Sequence, residues 1–117
     1  ICAEPFDITI GRLGKFQRNG GDIYWIGAER NENLFSIYKQ LSRELTCAGF
    51  DIEKRSFKPH LTLGREVMLS EGFDENAFSK AIPSMTIKVE RISLMKSERI
   101  NGVLTYTEVY GKKLHKA

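Results

Sequence analysis

The sequence has little cysteine and no long hydrophobic run, and each absence excludes a class of protein. Its only two cysteines, Cys2 and Cys47, lie far apart and match no metal-binding spacing such as Cys-x-x-Cys. We therefore expect reduced thiols in a cytoplasmic protein, and no zinc site. No stretch of about 18 consecutive apolar residues occurs, so no membrane-spanning helix is predicted. The chain also lacks a charged segment followed by a short apolar one, which argues against a secretory signal.

Charges of both signs are scattered, and no long basic or acidic block is present. The formal net charge of +3 suits a phosphorylated ligand without identifying one. With 117 residues, 41% hydrophobic and 28% charged, the chain can build one core and is too short for two. A single domain over residues 1–117 is therefore predicted. Because the chain starts at Ile1 without Met, we expect part of the parent protein to be missing upstream.

Alternating apolar and polar residues begin near the start of the chain. Residues 5–16 follow this pattern, which predicts a first strand that breaks into a turn at Gly11 and Gly14. The Asn-Gly-Gly-Asp sequence at 19–22 predicts a tight turn. The apolar run at 23–27 has strand-forming residue types, so a second strand is expected to pair with the first.

Two large aromatic residues, Tyr24 and Trp25, are neighbours in this second strand. Successive strand residues point to opposite faces, so one ring belongs to the core and the other can border a cleft. The pattern does not decide which ring has which place.

Between residues 33 and 48 the apolar spacing becomes helical, which predicts an amphipathic helix. Asn31 or Asn33 can cap its N-terminus, because a short side-chain acceptor satisfies free amide groups of the first turn. Gly49 can end the helix in the left-handed conformation. The apolar positions are Leu34, Ile37, Tyr38, Leu41, Leu45 and Ala48.

An alternating pattern returns between residues 57 and 65 and predicts a strand. Pro59 is tolerable near the start of such a strand or at an unpaired edge position. Further on, Asp74 precedes an acidic and then apolar segment, which predicts a short helix that ends before Pro83.

The last third of the chain has the pattern of strands. Residues 86–90 alternate, and a shift of the apolar register predicts a bulge near Arg91. Asn101-Gly102 is the strongest hairpin signal, because both residues accept positive φ; it joins a strand ending near Glu98 to one over 103–110. Strands outnumber helices and several are adjacent hairpin partners. We therefore predict an α+β fold, a mainly antiparallel sheet with one long and one short helix.

The chemically informative stretch is 55–65, Arg-Ser-Phe-Lys-Pro-His-Leu-Thr-Leu-Gly-Arg. On a strand, His60 and Thr62 share one face about 6.5 to 7 Å apart, while Leu61 and Leu63 face the core. A histidine can move protons near neutral pH, and a neighbouring hydroxyl can donate a hydrogen bond to a phosphoryl oxygen. The pair suits attack on a phosphodiester. A structural, half-buried histidine in an unrelated α+β protein has the same spacing, so the motif alone leaves both readings open.

The order of these motifs resembles the LigT-like 2H phosphoesterases. This family contains the bacterial and archaeal RNA 2′,3′-cyclic phosphodiesterases, also called 2′-5′ RNA ligases. The resemblance covers most of the chain. Its matching segments are, in order, Gly14-Lys15-Phe16, Tyr24-Trp25-Ile26-Gly27, the long helix, Pro-His-Leu-Thr-Leu-Gly-Arg at 59–65, Ile-Ser-Leu-Met-Lys-Ser at 92–97, Gly102 and Tyr106.

Members of this family carry two His-x-Thr motifs, one in each of two pseudo-symmetric lobes that face each other across a cleft, without a metal or cofactor. This sequence has one such motif. Its only other histidine, His115, has no hydroxyl residue two positions on and is expected in a solvated tail. The resemblance implies the C-terminal part of a bilobal fold, with the N-terminal portion and its first motif absent. Activity would need that missing lobe or a second copy of the chain.

The resemblance makes His60 the base that activates water against a cyclic phosphate, while the absent histidine protonates the leaving oxygen. Thr62 and a nearby cation would hold the developing charge. Arg65 is the nearest cation, although strict alternation places it on the face opposite His60, so phosphate contact and surface charge both stay open. Phe57 either stacks on a nucleobase or packs in the core. Lys58 either attracts phosphate or is solvated.

The implied function is a metal-independent RNA 2′,3′-cyclic phosphodiesterase that leaves a 2′-phosphate. Joining of RNA ends through a 2′-5′ bond would be the reverse reaction at the same site. The implied partners are RNA ends or cyclic nucleotides, and this chain alone is expected to be inactive. The alternative is a binding module of the same fold that holds a nucleotide or RNA end without turnover.

Overall fold

The computed structural model of the protein describes residues 3–53 and 56–116. The thiol state predicted for Cys2, and Arg55 at the start of the informative stretch, lie outside the described residues. Six strands and two helices occur in this described part. In chain order they are β1 Phe6–Phe16, β2 Asp22–Ala28, α1 Glu32–Cys47, β3 His60–Val67, α2 Glu75–Ala81, β4 Met85–Val89, β5 Arg91–Ile100 and β6 Val103–Lys113.

Four strands form an antiparallel sheet in the order β3-β2-β1-β4. The central strands β1 and β2 pair across the turn predicted at 19–22, from Ile10 opposite Ala28 to Phe16 opposite Ile23. The predicted pairing of the first two strands is therefore confirmed. β3 begins at His60 rather than residue 57, and it lies at one edge of this sheet.

β5 and β6 form a separate two-stranded sheet, joined by the predicted Asn101-Gly102 turn. The φ angles of 51° and 80° at these two residues confirm that hairpin signal. β4 and β5 are separated by Glu90 alone but belong to different sheets. The bulge predicted near Arg91 is therefore wrong. The apolar register shifts there because the chain passes from one sheet to the other, and the ladder irregularity lies between Leu94 and Met95.

Both helices begin where short polar side chains cap them. The Asn31 side chain accepts a hydrogen bond from the Leu34 amide at 3.0 Å, so Asn31 is the cap of α1 rather than Asn33. Asp74 plays the same part at α2. After α1, Gly49 has φ 97°, as its predicted role at the helix end requires.

The turn predicted at Gly11 and Gly14 is wrong, because β1 continues through both residues. A β-bulge between Ile10 and Leu13 interrupts the ladder instead, and Arg12 at the bulge has φ 66°. Turns and bulges both interrupt an alternating pattern. The sequence around the two glycines is therefore compatible with either, and only pairing with β2 distinguishes them.

Buried apolar side chains are few in the described part of the chain. Phe6, Ile37 and Leu114 form a cluster that joins β1, α1 and the segment after β6. The Leu114 amide also donates a hydrogen bond to the Glu90 carbonyl oxygen at 2.8 Å, which fixes the base of the β5–β6 hairpin. The remaining buried apolar residues are Ile10, Tyr24 and Ile26.

Leu61 and Leu63 do not face a core. Their side chains are 53% and 49% exposed, which corrects the prediction made from alternation. Leu61 pairs with Ile26 and lies away from the His60 face of β3, whereas Leu63 lies at the irregularity between the Trp25–Thr62 and Tyr24–Gly64 pairs. Alternation predicts the face of a residue and not whether something packs on it.

Two further features bear on the broad class of protein. Among residues 3–53 and 56–116, no helix is both long and apolar enough to cross a membrane. Cys47 is a free and exposed cysteine.

Candidate active site

His60 is the first residue of β3 and lies opposite Gly27 of β2. Its Nδ1 lies 2.5 Å from the backbone carbonyl oxygen of Lys58. A carbonyl oxygen only accepts hydrogen bonds, so Nδ1 carries the proton in this contact, and the neutral ring has its lone pair on Nε2. The side chain is exposed. The chain thus presents an oriented imidazole with Nε2 available as a base.

Two aromatic rings flank this imidazole. The Phe16 ring meets it edge-on, with centroids 5.1 Å apart and planes at 89°, and the Trp25 centroid lies 5.8 Å away. Gly14 makes room for the indole, since a Cβ at this position would lie 2.1 Å from the nearest ring carbon. The indole Nε1 is buried and has no hydrogen-bond partner among the described residues. The packing of both rings restricts the orientation of His60.

A cavity of about 630 Å³ opens beside His60. Phe57, in the segment before β3, stacks on Tyr38 of α1 with centroids 4.3 Å apart and planes within 5°. Phe57 is 37% exposed and lines the cavity, so of the two places that the sequence left open the structure excludes the core. The other lining residues are Phe16, Arg18, Ile52, Glu53, Ser56 and Lys58.

Thr62 is half-buried and lies opposite Trp25 in the β2–β3 ladder. His60 lies opposite Gly27, two residues along β2, so Thr62, Trp25 and His60 share one face of the sheet. The hydroxyl predicted to accompany the imidazole is therefore on the same face.

Arg65 is directed to a different neighbour. Its Nη2 donates a hydrogen bond to the Tyr106 hydroxyl of β6 at 2.8 Å, and it does not line the His60 cavity. Positive charge in that cavity comes from Arg18 and Lys58. The Arg18 guanidinium lies 5.5 Å from the Phe16 ring centroid. A phosphate group entering the cavity would meet these two cations.

The sequence pattern did not decide whether Tyr24 or Trp25 lies in the core, and the structure places Tyr24 there. Tyr24 is buried, and its hydroxyl donates a hydrogen bond to the carboxylate of Glu75 at the start of α2. This hydrogen bond, followed by burial, raises the pKa of Tyr24 from 10.0 to about 12. The Lys15 ammonium lies 3.7 Å from the same carboxylate. Trp25 is therefore the ring of this pair that borders the candidate site.

A known family has this sequence pattern. The sequence profile of the 2′-5′ RNA ligase superfamily matches residues 1–101. The chain belongs to the 2′-5′ RNA ligase superfamily. The LigT-like resemblance inferred from the order of the motifs is thereby confirmed.

Curated relatives of this superfamily member are named RNA 2′,3′-cyclic phosphodiesterase. The Thermotoga maritima protein is 28% identical over 93 residues, which cover 79% of this chain and 49% of the relative. The Bacillus subtilis protein is 28% identical over 109 residues, 92% of this chain and 58% of the relative. The Methanocaldococcus jannaschii protein is 40% identical over 66 residues, 56% of this chain and 37% of the relative. The chain spans about half the length of the curated relatives it matches.

Solved structures show the same fold. E. coli LigT complexed with 3′-AMP superposes with a TM-score of 0.74 at 23% identity, covering 99% of this chain and 63% of LigT. A structure described as a phosphoesterase superposes with a TM-score of 0.76 at 21% identity, with the same two coverages. The predicted α+β fold with a mainly antiparallel sheet is confirmed as that of LigT-like phosphoesterases.

Six lining residues of the superfamily member's candidate site had no site role in the sequence analysis, namely Phe16, Arg18, Tyr38, Ile52, Glu53 and Ser56. Phe16 belongs to the quoted Gly-Lys-Phe motif but had no assigned role, and Tyr38 was counted only as an apolar helix position. Arg18 follows β1 and carries no local signal, because its place in the cavity depends on pairing between distant segments. Within residues 3–53 and 56–116, no three His, Cys, Asp or Glu side chains are grouped so that they could hold a metal ion.

Proposed function

We propose that the protein containing this chain hydrolyses the 2′,3′-cyclic phosphate ends of RNA to 2′-phosphate ends, with His60 as the general base. The observation that carries this proposal is the 2.5 Å contact between His60 Nδ1 and the Lys58 carbonyl oxygen. It holds the proton on Nδ1 and leaves Nε2 to accept a proton from water. The names of the curated relatives support the choice of substrate.

In the proposed step, His60 Nε2 takes a proton from water while the water oxygen forms a bond to phosphorus. The bond between phosphorus and the 3′ oxygen breaks. That oxygen receives a proton from the histidine of a second His-x-Thr motif. The bond to the 2′ oxygen stays intact, so the product carries a 2′-phosphate. The proposal includes no metal ion or other cofactor.

Enzymes accelerate phosphoryl transfer mainly by positioning and by stabilising developing negative charge. We assign the hydrogen bond to a phosphoryl oxygen to the Thr62 hydroxyl. Arg65, expected from the sequence as the nearest cation, donates to Tyr106 and does not line the His60 cavity, so we assign the positive charge there to other residues. Arg18 and Lys58 line the His60 cavity and support anion binding there. The Phe57 ring, already stacked on one face, is proposed to contact a nucleobase.

The second His-x-Thr motif must come from outside this chain, which contains one. On the β5–β6 hairpin, Leu94, Val103 and Tyr110 are 63%, 64% and 66% exposed. Burial of such exposed apolar side chains would stabilise a contact by about 25 cal/mol per Å² of apolar surface. We propose that the chain is the C-terminal portion of a bilobal fold. A missing N-terminal lobe or a second copy covers this surface and supplies the other motif, and the chain alone is inactive.

Ligation belongs to the same proposal. In ligation, the 5′-hydroxyl oxygen of a second RNA takes the place of water and forms the bond to phosphorus, while the bond from phosphorus to the 3′ oxygen breaks. The retained bond to the 2′ oxygen then leaves a 2′-5′ linkage, so ligation parallels hydrolysis and does not reverse it. The cytoplasmic location expected from cysteine usage stays a prediction.

Hydrolysis of 2′,3′-cyclic nucleotides by the full-length protein, with EDTA present, tests the proposal. We expect a 2′-phosphate product and a fall in kcat of about 10² to 10⁴-fold in His60→Ala, the usual contribution of a general base. His115→Ala is the matched control, because His115 is exposed in the segment after β6 and should leave kcat unchanged. Thermal unfolding of both variants separates lost chemistry from lost folding. Absence of wild-type turnover on several cyclic nucleotides and a cyclic-ended RNA would contradict the enzyme.

The alternative is a nucleotide- or RNA-binding module without turnover. The aromatic and cationic lining of the His60 cavity favours this function as well, because stacking and charge attraction need no base. Titration with 3′-AMP, the nucleotide present in the solved LigT complex, distinguishes the enzyme from the binding module when it is combined with the hydrolysis assay. Binding without hydrolysis of any cyclic substrate would select the module.

A further inference from the structure

A second cavity adjoins the His60 cavity. It measures about 500 Å³, and Phe57 and Lys58 line both cavities. Pro59, the residue before His60, also lines the second cavity, but His60 does not. The second cavity is therefore a neighbouring compartment with its own walls, reached across the segment that leads into β3.

Among residues 3–53 and 56–116, three cations and no carboxylate line the second cavity. Arg30 is paired with Glu32 at 3.1 Å. The side chains of Arg12 and Lys58, in contrast, form no ion pair or hydrogen bond with any residue that the structure describes. Arg12 lies at the β1 bulge, where an irregular backbone redirects a side chain. Cations that form no ion pair attract phosphate groups.

Aromatic rings form the rest of the second cavity's recognition surface. Trp25, Phe35 and Phe57 all line it, and Phe35 is 39% exposed. Rings of this kind stack on any nucleobase, because every base has a π-face. Rings combined with unpaired cations are typical of sites that bind single-stranded nucleic acid.

We propose that the second cavity binds the nucleotide preceding the cyclic end of an RNA strand. Arg12 contacts the phosphate that links this nucleotide to the terminal one, and Phe35 lies against its base. The proposal rests on the proposed function, which puts the terminal nucleotide in the adjoining His60 cavity. The occupant is an RNA strand rather than a free anion, because the walls join base-stacking rings to phosphate-binding cations next to that site.

The substitution Arg12→Asn tests the phosphate contact in the full-length protein. Asparagine removes the charge and tolerates the positive φ of this position better than most residues. For a cyclic-ended dinucleotide we expect kcat/KM to fall about three- to tenfold, through KM, as for one partly exposed charge-assisted hydrogen bond. For a 2′,3′-cyclic mononucleotide, which has no linking phosphate, we expect no change. The dependence of log kcat/KM on log salt should become shallower by about 0.7 for the dinucleotide.

Phe35→Leu tests the stacking contact, because leucine keeps an apolar side chain and removes the ring. We expect a several-fold loss on the dinucleotide alone, at the lower end of the about 1 to 3 kcal/mol that stacking contributes per base. Arg43→Asn and Phe50→Leu are matched controls, since both residues are exposed and line neither cavity. Both controls should leave the two substrates unchanged.

Equal losses of kcat/KM on the mononucleotide and the dinucleotide in Arg12→Asn would overturn the proposal, as would no loss on either. A wild type that turns over no cyclic substrate would instead refute the proposed function. In that case, calorimetric titration with the dinucleoside monophosphate ApA tests nucleotide binding in the second cavity independently of turnover. Weaker binding of ApA to Arg12→Asn than to Arg43→Asn would support the cavity, and equal binding would overturn it.

Discussion

The substitution Gly14→Ala tests whether Trp25 must lie flat on the sheet beside His60. Gly14 and Trp25 are opposite each other in the β1–β2 ladder. A Cβ at Gly14 would lie 2.1, 2.4 and 2.4 Å from three indole carbons, well inside the contact distance of about 3.5 to 4.0 Å. At Gly14, β1 pairs with β2 alone, since its pairing with β4 ends at Ile10, and a shift of the backbone would break the ladder to β2 that carries Trp25. The indole must therefore move.

Overpacking of this kind costs about 1 to 3 kcal/mol. Displacement of the indole also disturbs its contacts with Phe16 and His60, and each aromatic pair contributes about 0.5 to 1.5 kcal/mol. We therefore expect the free energy of unfolding to fall by about 1 to 3 kcal/mol in Gly14→Ala. Hydrolysis of cyclic nucleotides should also fall, because the ring next to His60 is displaced.

Gly11→Ala is the matched control on the same strand. A Cβ there would meet Ser84 Cα at 3.5 Å and the Pro83 carbonyl oxygen at 3.8 Å, which are ordinary contacts. We expect a change within about 0.5 kcal/mol. Urea denaturation, followed by circular dichroism, measures both variants. Equal stability and equal activity of Gly14→Ala and Gly11→Ala would refute the reasoning about Trp25.

Two further predictions concern stability. Because the pKa of Tyr24 is raised from 10.0 to about 12 in the folded state, chiefly by its hydrogen bond to Glu75, its contribution is present below pH 10. That contribution is lost as the pH rises from about 10 to about 12. The urea midpoint should therefore fall more steeply over this pH range in the wild type than in Tyr24→Phe. Parallel curves of urea midpoint against pH would contradict this prediction. Asn31→Ala should lower the unfolding free energy by about 1 kcal/mol through loss of the helix cap, and a loss of the same size in the exposed control Asn33→Ala would contradict that assignment.

Local chemistry explains which elements the sequence could predict. The Asn101-Gly102 turn and the start of each helix depend on a few neighbouring residues. The structure confirms the turn, selects Asn31 from the two caps that the sequence allowed, and begins the short helix after Asp74. In the same way, the two-residue period of a strand predicts that His60 and Thr62 share a face. These features need no information from distant segments.

The features that the sequence did not predict depend on strand pairing and on packing against distant segments. The bulge in β1 exists only relative to β2, so the sequence around Gly11 could not distinguish it from a turn. The exposure of Leu61 depends on what packs against the outer side of β3. The wall of the His60 cavity likewise joins Arg18 after β1 to Tyr38 on α1, residues with no sequence relation to the His-x-Thr motif.

The two attachments of the β5–β6 hairpin have a mechanical consequence. Its base is fixed by the Leu114 amide on the Glu90 carbonyl oxygen, and farther along the hairpin Tyr106 accepts the hydrogen bond from Arg65. The hairpin is therefore held at its base and at one further position, Tyr106. If the proposed second lobe or copy displaced this hairpin, the displacement would break the hydrogen bond to Tyr106 or move Arg65, which lies five residues after His60 in β3. In the proposed assembly, this hydrogen bond would connect the position of the hairpin with the geometry of the strand that carries His60.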